Sequence, residues 1–258
     1  MRRREFRGTV MPGILSVAAL FILWWSVTRL ELVPALFVPS PGKVFETFIE
    51  VALRGYRGVT LFRHLAWSMY RVLSGFLLAM VTAVPLGLLM GRSRAVKAFF
   101  DPLIEMYRPL PPLAYYTLLI VWMGIGDASK IALLFLAAFP PLSISTMAAV
   151  QRIPAHRIES AMCLGVRGWK LVRKVVFPST LPGIFTGLRV SIGFTYTTLV
   201  SSEIVAATNG IGWLVLDAGR FLRTDLMFVG IITMALTGYL LDRLIRGLES
   251  LLIPWKED

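Results

Sequence analysis

Long uncharged apolar runs alternate with short charged segments along this chain. Residues 8–28, 72–91, 109–126 and 131–151 carry no Asp, Glu, Lys, Arg or His. A helix crossing a bilayer needs about 20 apolar residues, so each run predicts a span. Two further runs are less clean. Residues 181–204 contain Arg189 and end near Glu203, and residues 226–241 are short but extend past Asp242 by tilt or snorkelling. Backbone facing lipid must satisfy its own hydrogen bonds, so all six predicted spans are helices. The expected fold class is all-α, a polytopic membrane protein with six transmembrane helices. The unbroken apolar content predicts a single transmembrane domain over residues 1–258.

Between the spans the pattern changes. Pro39-Ser40-Pro41-Gly42 breaks the chain after the first span. Val44, Phe45, Phe48, Ile49 and Ala52 then recur at helical spacing with Glu46 and Glu50 opposite, which predicts an amphipathic helix at the outer interface, packed over the spans or lying in the interface. Residues 99–106 read as a helix with Pro102 in its first turn. The prolines of Tyr107-Arg108-Pro109-Leu110-Pro111-Pro112 interrupt it before residues 113–123 resume. Such a break either lines a transport pathway or sits at the cytoplasmic interface. Gly124-Ile125-Gly126-Asp127 predicts a tight outer turn, and Pro140-Pro141 a kink in the fourth span.

Composition agrees with the pattern. The chain is 56% hydrophobic and 16% charged, with a mean hydropathy of +0.71; a soluble domain carries about a quarter charged residues. A net charge of +12 raises nucleic acid as a partner, but the distribution excludes it. Sixteen Lys and Arg fall in segments alternating with those that hold Lys43, Arg54, Arg57, Lys130, Arg220 and Arg223. The sixteen are Arg2, Arg3, Arg4, Arg7, Arg92, Arg94, Lys97, Arg152, Arg157, Arg167, Lys170, Arg173, Lys174, Arg243, Arg246 and Lys256. The positive-inside rule puts these segments, and both termini, in the cytoplasm. The first apolar run lacks a small-x-small cleavage pattern and is expected to be a retained span rather than a signal peptide. The single cysteine, Cys163, fits a reducing compartment.

Catalytic chemistry is not legible. Gly42-Lys43 lacks the rest of a phosphate-binding loop, His64 and His156 fall on opposite sides, and no metal set or nucleophile–base pair can be assembled. The chain is therefore expected to be no enzyme and to bind no cofactor or metal, so uphill transport would draw on a partner or an ion gradient. Arg108, Arg189 and Glu203 lie in or beside spans and are candidate pathway or gate residues. The structural alternative is i,i+3 pairing of Glu105 with Arg108, snorkelling of Arg189, and a contact of Glu203 with Thr208 or Asn209. Thr195, Thr197 and Thr198 are candidates for lining a polar path.

The most specific segment is cytoplasmic. Residues 159–182 read E-S-A-M-C-L-G-V-R-G-W-K-L-V-R-K-V-V-F-P-S-T-L-P, which predicts two short helices over 157–164 and 169–176 joined at a glycine, with Pro178 and Pro182 stopping the second. This segment resembles the EAA loop of binding-protein-dependent ABC transporter permeases: E-A-A, three residues, Gly, nine residues, Ile-x-Leu-Pro. Glu159, Ser160 and Ala161 stand for E-A-A, Gly165 for the spaced glycine, and Val175, Phe177 and Pro178 for Ile, Leu and Pro. Within that family, residues 107–114, 122–130, 198–204 and 206–212 look like the sulfonate, taurine and nitrate permeases. The Arg-Pro-x-Pro-Pro-Leu-Ala form and Pro254-Trp255 look most like the taurine members.

The resemblance implies a type I ABC importer permease in the inner membrane, working as a homodimer. It implies that the loop within residues 151–182 docks on a cytoplasmic ATPase dimer, where ATP and Mg bind, with Glu159, Ser160, Ala161, Gly165 and Pro178 forming the coupling surface. A soluble solute-binding protein would dock on the outer side. The substrate implied is taurine or a related alkanesulfonate; a nitrate or other small-anion permease is the alternative, and an ion-coupled secondary transporter a more distant one.

Overall fold

The computed structural model describes residues 2–255; the side chains of residues 2–14 and of Ala206 lie outside the described set. The charge-pattern argument at Lys256, and at the side chains of Arg2, Arg3, Arg4 and Arg7, therefore falls outside it. Among the described residues the chain forms α-helices and one π-helical turn, with no β-strand. The helices are α1 (Arg2–Arg29), α2 (Pro41–Leu53), α3 (Leu61–Arg92), α4 (Arg94–Tyr107), α5 (Pro112–Met123), α6 (Asp127–Gln151), α7 (Ala155–Cys163), α8 (Gly168–Leu171), α9 (Phe177–Ala206), α10 (Ile211–Arg220) and α11 (Thr224–Leu252). Helix α3, helix α6, residues 168–205 and helix α11 are each long and apolar enough to cross a membrane. The other two predicted spans fall on shorter apolar helices, Leu15–Arg29 and Pro112–Met123.

The chain divides into two compact units. The first comprises residues 1–64 and 214–233. There Trp24 donates its indole N–H to the Pro39 carbonyl at 3.0 Å and stacks on Phe228. Ser40 caps α2, its hydroxyl accepting the Lys43 N–H at 3.3 Å. The buried seam of α2 is Val44, Thr47 and Val51, while Phe45, Phe48 and Ile49 are exposed. The pattern placed Phe45, Phe48 and Ile49 on an apolar face lying in the outer interface, with packing over the spans as the alternative; the buried seam lies instead along Val44, Thr47 and Val51. The seam is turned because Thr47 donates to the Asp225 carboxylate at 2.9 Å, and an apolar face turned away from protein costs nothing where lipid covers it.

The second unit comprises residues 65–213 and 234–258. Its core is built on α3, α6 and α9, around Val72, Ala79, Ala83, Leu134, Ala138, Leu142, Leu188 and Leu199, with Ile253 from the last segment. In lipid, helix association depends on close packing of small residues rather than on hydrophobic expulsion. A Cβ on Gly87 would lie 2.6 Å from Thr146 Cβ, and one on Gly187 would lie 2.7 Å from Ser145 Cβ. Helix α6 is thus approached by α3 on one side and α9 on the other at separations that only glycine permits.

Two local expectations change. Helix α4 starts at Arg94 behind a Ser93 cap, so Pro102 lies in its interior; Val96, Phe100 and Ile104 pack with Met90 and Met147 and offset the missing hydrogen bond. Pro178 and Pro182 do not stop a helix. Residues 168–206 run from α8 through a π-helical turn, Val172–Val176, into α9. Widening the ladder to i→i+5 just ahead of Pro178 accommodates a residue that has no N–H to give. The break at residues 108–111 is as expected, with α4 ending at Tyr107 and α5 opening at Pro112.

Candidate functional site

The loop over residues 151–182 is held from one side and bare on the other. Val150, Leu171 and Val176 are buried with Leu88, Ile153, Ile158 and Ala161 against them, which ties α7 and α8 to the ends of α3 and α6. Glu159 and Ser160 are exposed. Leu164 is 84% exposed and Trp169 76%. Gly165 joins the short helices at φ +81°, and Gly168 follows at φ +57°, a region costing an L-residue about 1–2 kcal/mol. Pro178 lies just beyond the π-helical turn, which accommodates its absent N–H.

A second cluster lies in the interior, where Arg71 organises four segments. Its Nη1 donates to Glu203 Oε1 at 2.7 Å and to the Asn209 carbonyl at 3.0 Å. Its Nε donates to Asp127 Oδ1 at 2.7 Å, and its Nη2 to the Asn209 side-chain oxygen. Ser68 donates to Glu203 Oε1 at 2.7 Å, and the Gly212 N–H donates to Oε2 at 2.8 Å. Ser68 also accepts the Ile211 N–H at 2.9 Å. The Glu203 carboxylate thus sits at the start of α10, where helix dipole and free N–H groups favour an anion. Lys130 Nζ lies 3.7 Å from Asp127. Gly210, at φ +119°, has no room for a side chain because the Glu203 carboxylate occupies that space.

Of the predicted pathway residues, Arg108 and Thr198 line one cleft of 270 Å³ between the residue 107–112 break and the α6–α9 face. Glu203 belongs to the Arg71 cluster instead, and Thr195 is buried with its hydroxyl donated to the Ser191 carbonyl at 2.8 Å. Arg108 pairs with Glu105 at 3.8 Å, and Arg189 with Asp242 at 3.1 Å. The sequence reading missed Arg71, Ser68, Asp127 and Lys130 as one group. Its signal was present: Arg71 directly precedes the uncharged run 72–91, and α3 extends back to Leu61, so Arg71 lies inside the helix.

Residues 83–253 match the family described as binding-protein-dependent transport system inner membrane component. The chain belongs to this family. It is 41% identical over 247 residues to the taurine transport system permease protein of Escherichia coli (strain K12), covering 95% of this chain and 90% of that protein. A permease protein of Bacillus subtilis (strain 168) named for aliphatic sulfonates transport is 35% identical over 246 residues, covering 95% and 88%. A chain of the inward-facing MetNI methionine ABC transporter superposes with a TM-score of 0.68 at 16% identity, over 80% of this chain and 98% of that one. That likeness carries the fold, a type I ABC importer permease. As a member of this family the chain is a multi-pass membrane transport component.

Proposed function

We propose that this chain is the membrane subunit of an ATP-driven importer of taurine or a related alkanesulfonate, and that the Glu159 loop is where a cytoplasmic ATPase acts on it. The observation carrying the reading is the loop's one-sided packing. Its inner face is anchored in the Val150–Leu171–Val176 cluster, while Leu164 and Trp169 stand exposed beside Arg167, Lys170, Arg173 and Lys174. Charge concentration puts this loop in the cytoplasm, where no lipid covers it, and exposed large apolar residues there fit a protein partner. The anchored face would pass a push on the loop directly into α9. Similarity to the taurine and sulfonate permeases supports the substrate class.

The same reading has six spans, both termini in the cytoplasm, two copies of this chain per complex with two ATPases, and a soluble binding protein on the outer side. ATP and Mg belong to the ATPase. The test is uptake of labelled taurine by proteoliposomes carrying this chain, its ATPase and its binding protein. ATP-dependent uptake inhibited by ethanesulfonate supports the assignment. Inhibition by nitrate but not by sulfonates moves it to small inorganic anions.

A further inference from the structure

Two clefts open on the face of the second unit where α6 and α9 cross. One, of 270 Å³, includes Arg108, Tyr115, Thr198 and Ser145. The other, of 560 Å³, includes Ser145, Thr186, Arg152 and Arg157. Ile144 and Ser145 line both, so the two join into one groove along α6. From Ala137 to Arg152 it runs roughly 22 Å at 1.5 Å per residue, most of the ~30 Å hydrocarbon thickness.

The chemistry of the walls is asymmetric. Arg108, Arg152 and Arg157 are the only charged residues lining either cleft, and none of the described lining residues is a carboxylate. Glu105 reaches Arg108 from outside the wall at 3.8 Å, and Arg157 Nη1 lies 3.5 Å from Ser179 Oγ at the inner mouth. Apart from the arginines the polar side chains lining the clefts are hydroxyls, among them Ser145, Thr186, Thr198 and Tyr115.

We infer that this groove is a conduction surface for a small organic anion, with Arg152 and Arg157 drawing it to the inner mouth and Arg108 guarding the opposite end. The inference rests on the importer reading above and assigns the path within it. A bare anion in hydrocarbon is heavily penalised. Cations at both ends of a short polar groove raise the local anion concentration, and neutral hydroxyls between them leave no deep well, so the anion is released as readily as it enters.

Charge-selective labelling tests this without relying on transport. Ser145→Cys and Thr186→Cys are made in a Cys163→Ser background, and the complex with its ATPase and binding protein is placed in nanodiscs without nucleotide. Each is treated with 2-sulfonatoethyl methanethiosulfonate or with the trimethylammonium reagent of similar size. The thiolate attacks the sulfenyl sulfur, a mixed disulfide forms, and methanesulfinate leaves. The sulfonate reagent is expected to react about tenfold faster, and adding Arg152→Gln with Arg157→Gln to remove that preference. Equal rates, no labelling, or a preference that survives loss of both arginines overturns the inference. So does the same preference at Leu240→Cys, on the exposed face of α11. If wild-type complex shows no ATP-dependent taurine uptake while the preference persists, the substrate reading falls and the anion groove stands.

Discussion

Arg71 Nη1 and Glu203 Oε1 form an ion pair at 2.7 Å between α3 and α9, with side-chain exposures of 2% and 0%. Asp127 and Lys130 stand beside them, so two cations and two carboxylates share one interior cluster. Breaking such a pair strands a charge, whereas replacing both partners removes the desolvation penalty along with the attraction.

Arg71→Met is therefore expected to destabilise the protein by about 3–5 kcal/mol, and Glu203→Leu similarly. The double variant is expected to be more stable than the sum of the two. Thermal unfolding of purified protein in detergent, read as a double-mutant cycle, checks this.

Gly187→Ala puts a methyl group 2.7 Å from Ser145 Cβ and 3.3 Å from Leu142 Cδ1. Overpacking of this kind costs about 1–3 kcal/mol. Adding Ser145→Gly is expected to restore part of the loss. Gly193→Ala, with nothing within 4 Å of its new atom, is expected to be near neutral in the same unfolding assay.

Glu159→Lys and Gly165→Val are expected to uncouple ATP hydrolysis from uptake while leaving membrane insertion intact. Glu159 is exposed, and Gly165 sits in a left-handed turn where a β-branched residue distorts the path from α7 to α8. Simultaneous assay of ATPase rate and taurine uptake separates them; wild-type values for both in both variants would remove the loop from the coupling path.

Cys163 is exposed at the end of α7. With the loop in the cytoplasm, a membrane-impermeant maleimide added to intact cells is expected to miss it and to label it in inverted vesicles. Labelling of intact cells reverses the orientation and with it the ATPase-docking surface.

Four long apolar helices were legible because uncharged runs are read directly from the order of residues. The short helices α7 and α8 with a glycine turn between them were legible because Gly165 is spaced between two helix-forming stretches. The Arg71 cluster was not, since the hydrogen bonds that join Ser68, Arg71, Asp127, Glu203 and Asn209 reach across up to 138 residues, and no local period records that. The continuous helix through Pro178 was also hidden: proline argues for a stop, and only the ladder geometry reveals a turn wide enough to pass it. Helix α2 was read with the right period, but its buried seam through Thr47 was not legible, because Thr47 is polar in the pattern and is buried by its hydrogen bond to Asp225.

The π-helical turn at Val172–Val176 has an angular consequence. One added residue per turn offsets everything ahead of it by about 100° relative to an uninterrupted α-helix. The azimuth at which Trp169 stands around the α9 axis is thus set by the five residues of this turn, the first of which, Val172, donates its N–H to the Gly168 and Trp169 carbonyls. Deleting one of them to leave a plain α-helix would swing that patch by more than a quarter of a circle with every exposed side chain retained. The direction in which the loop's exposed face points is a property of phase, separable from its composition.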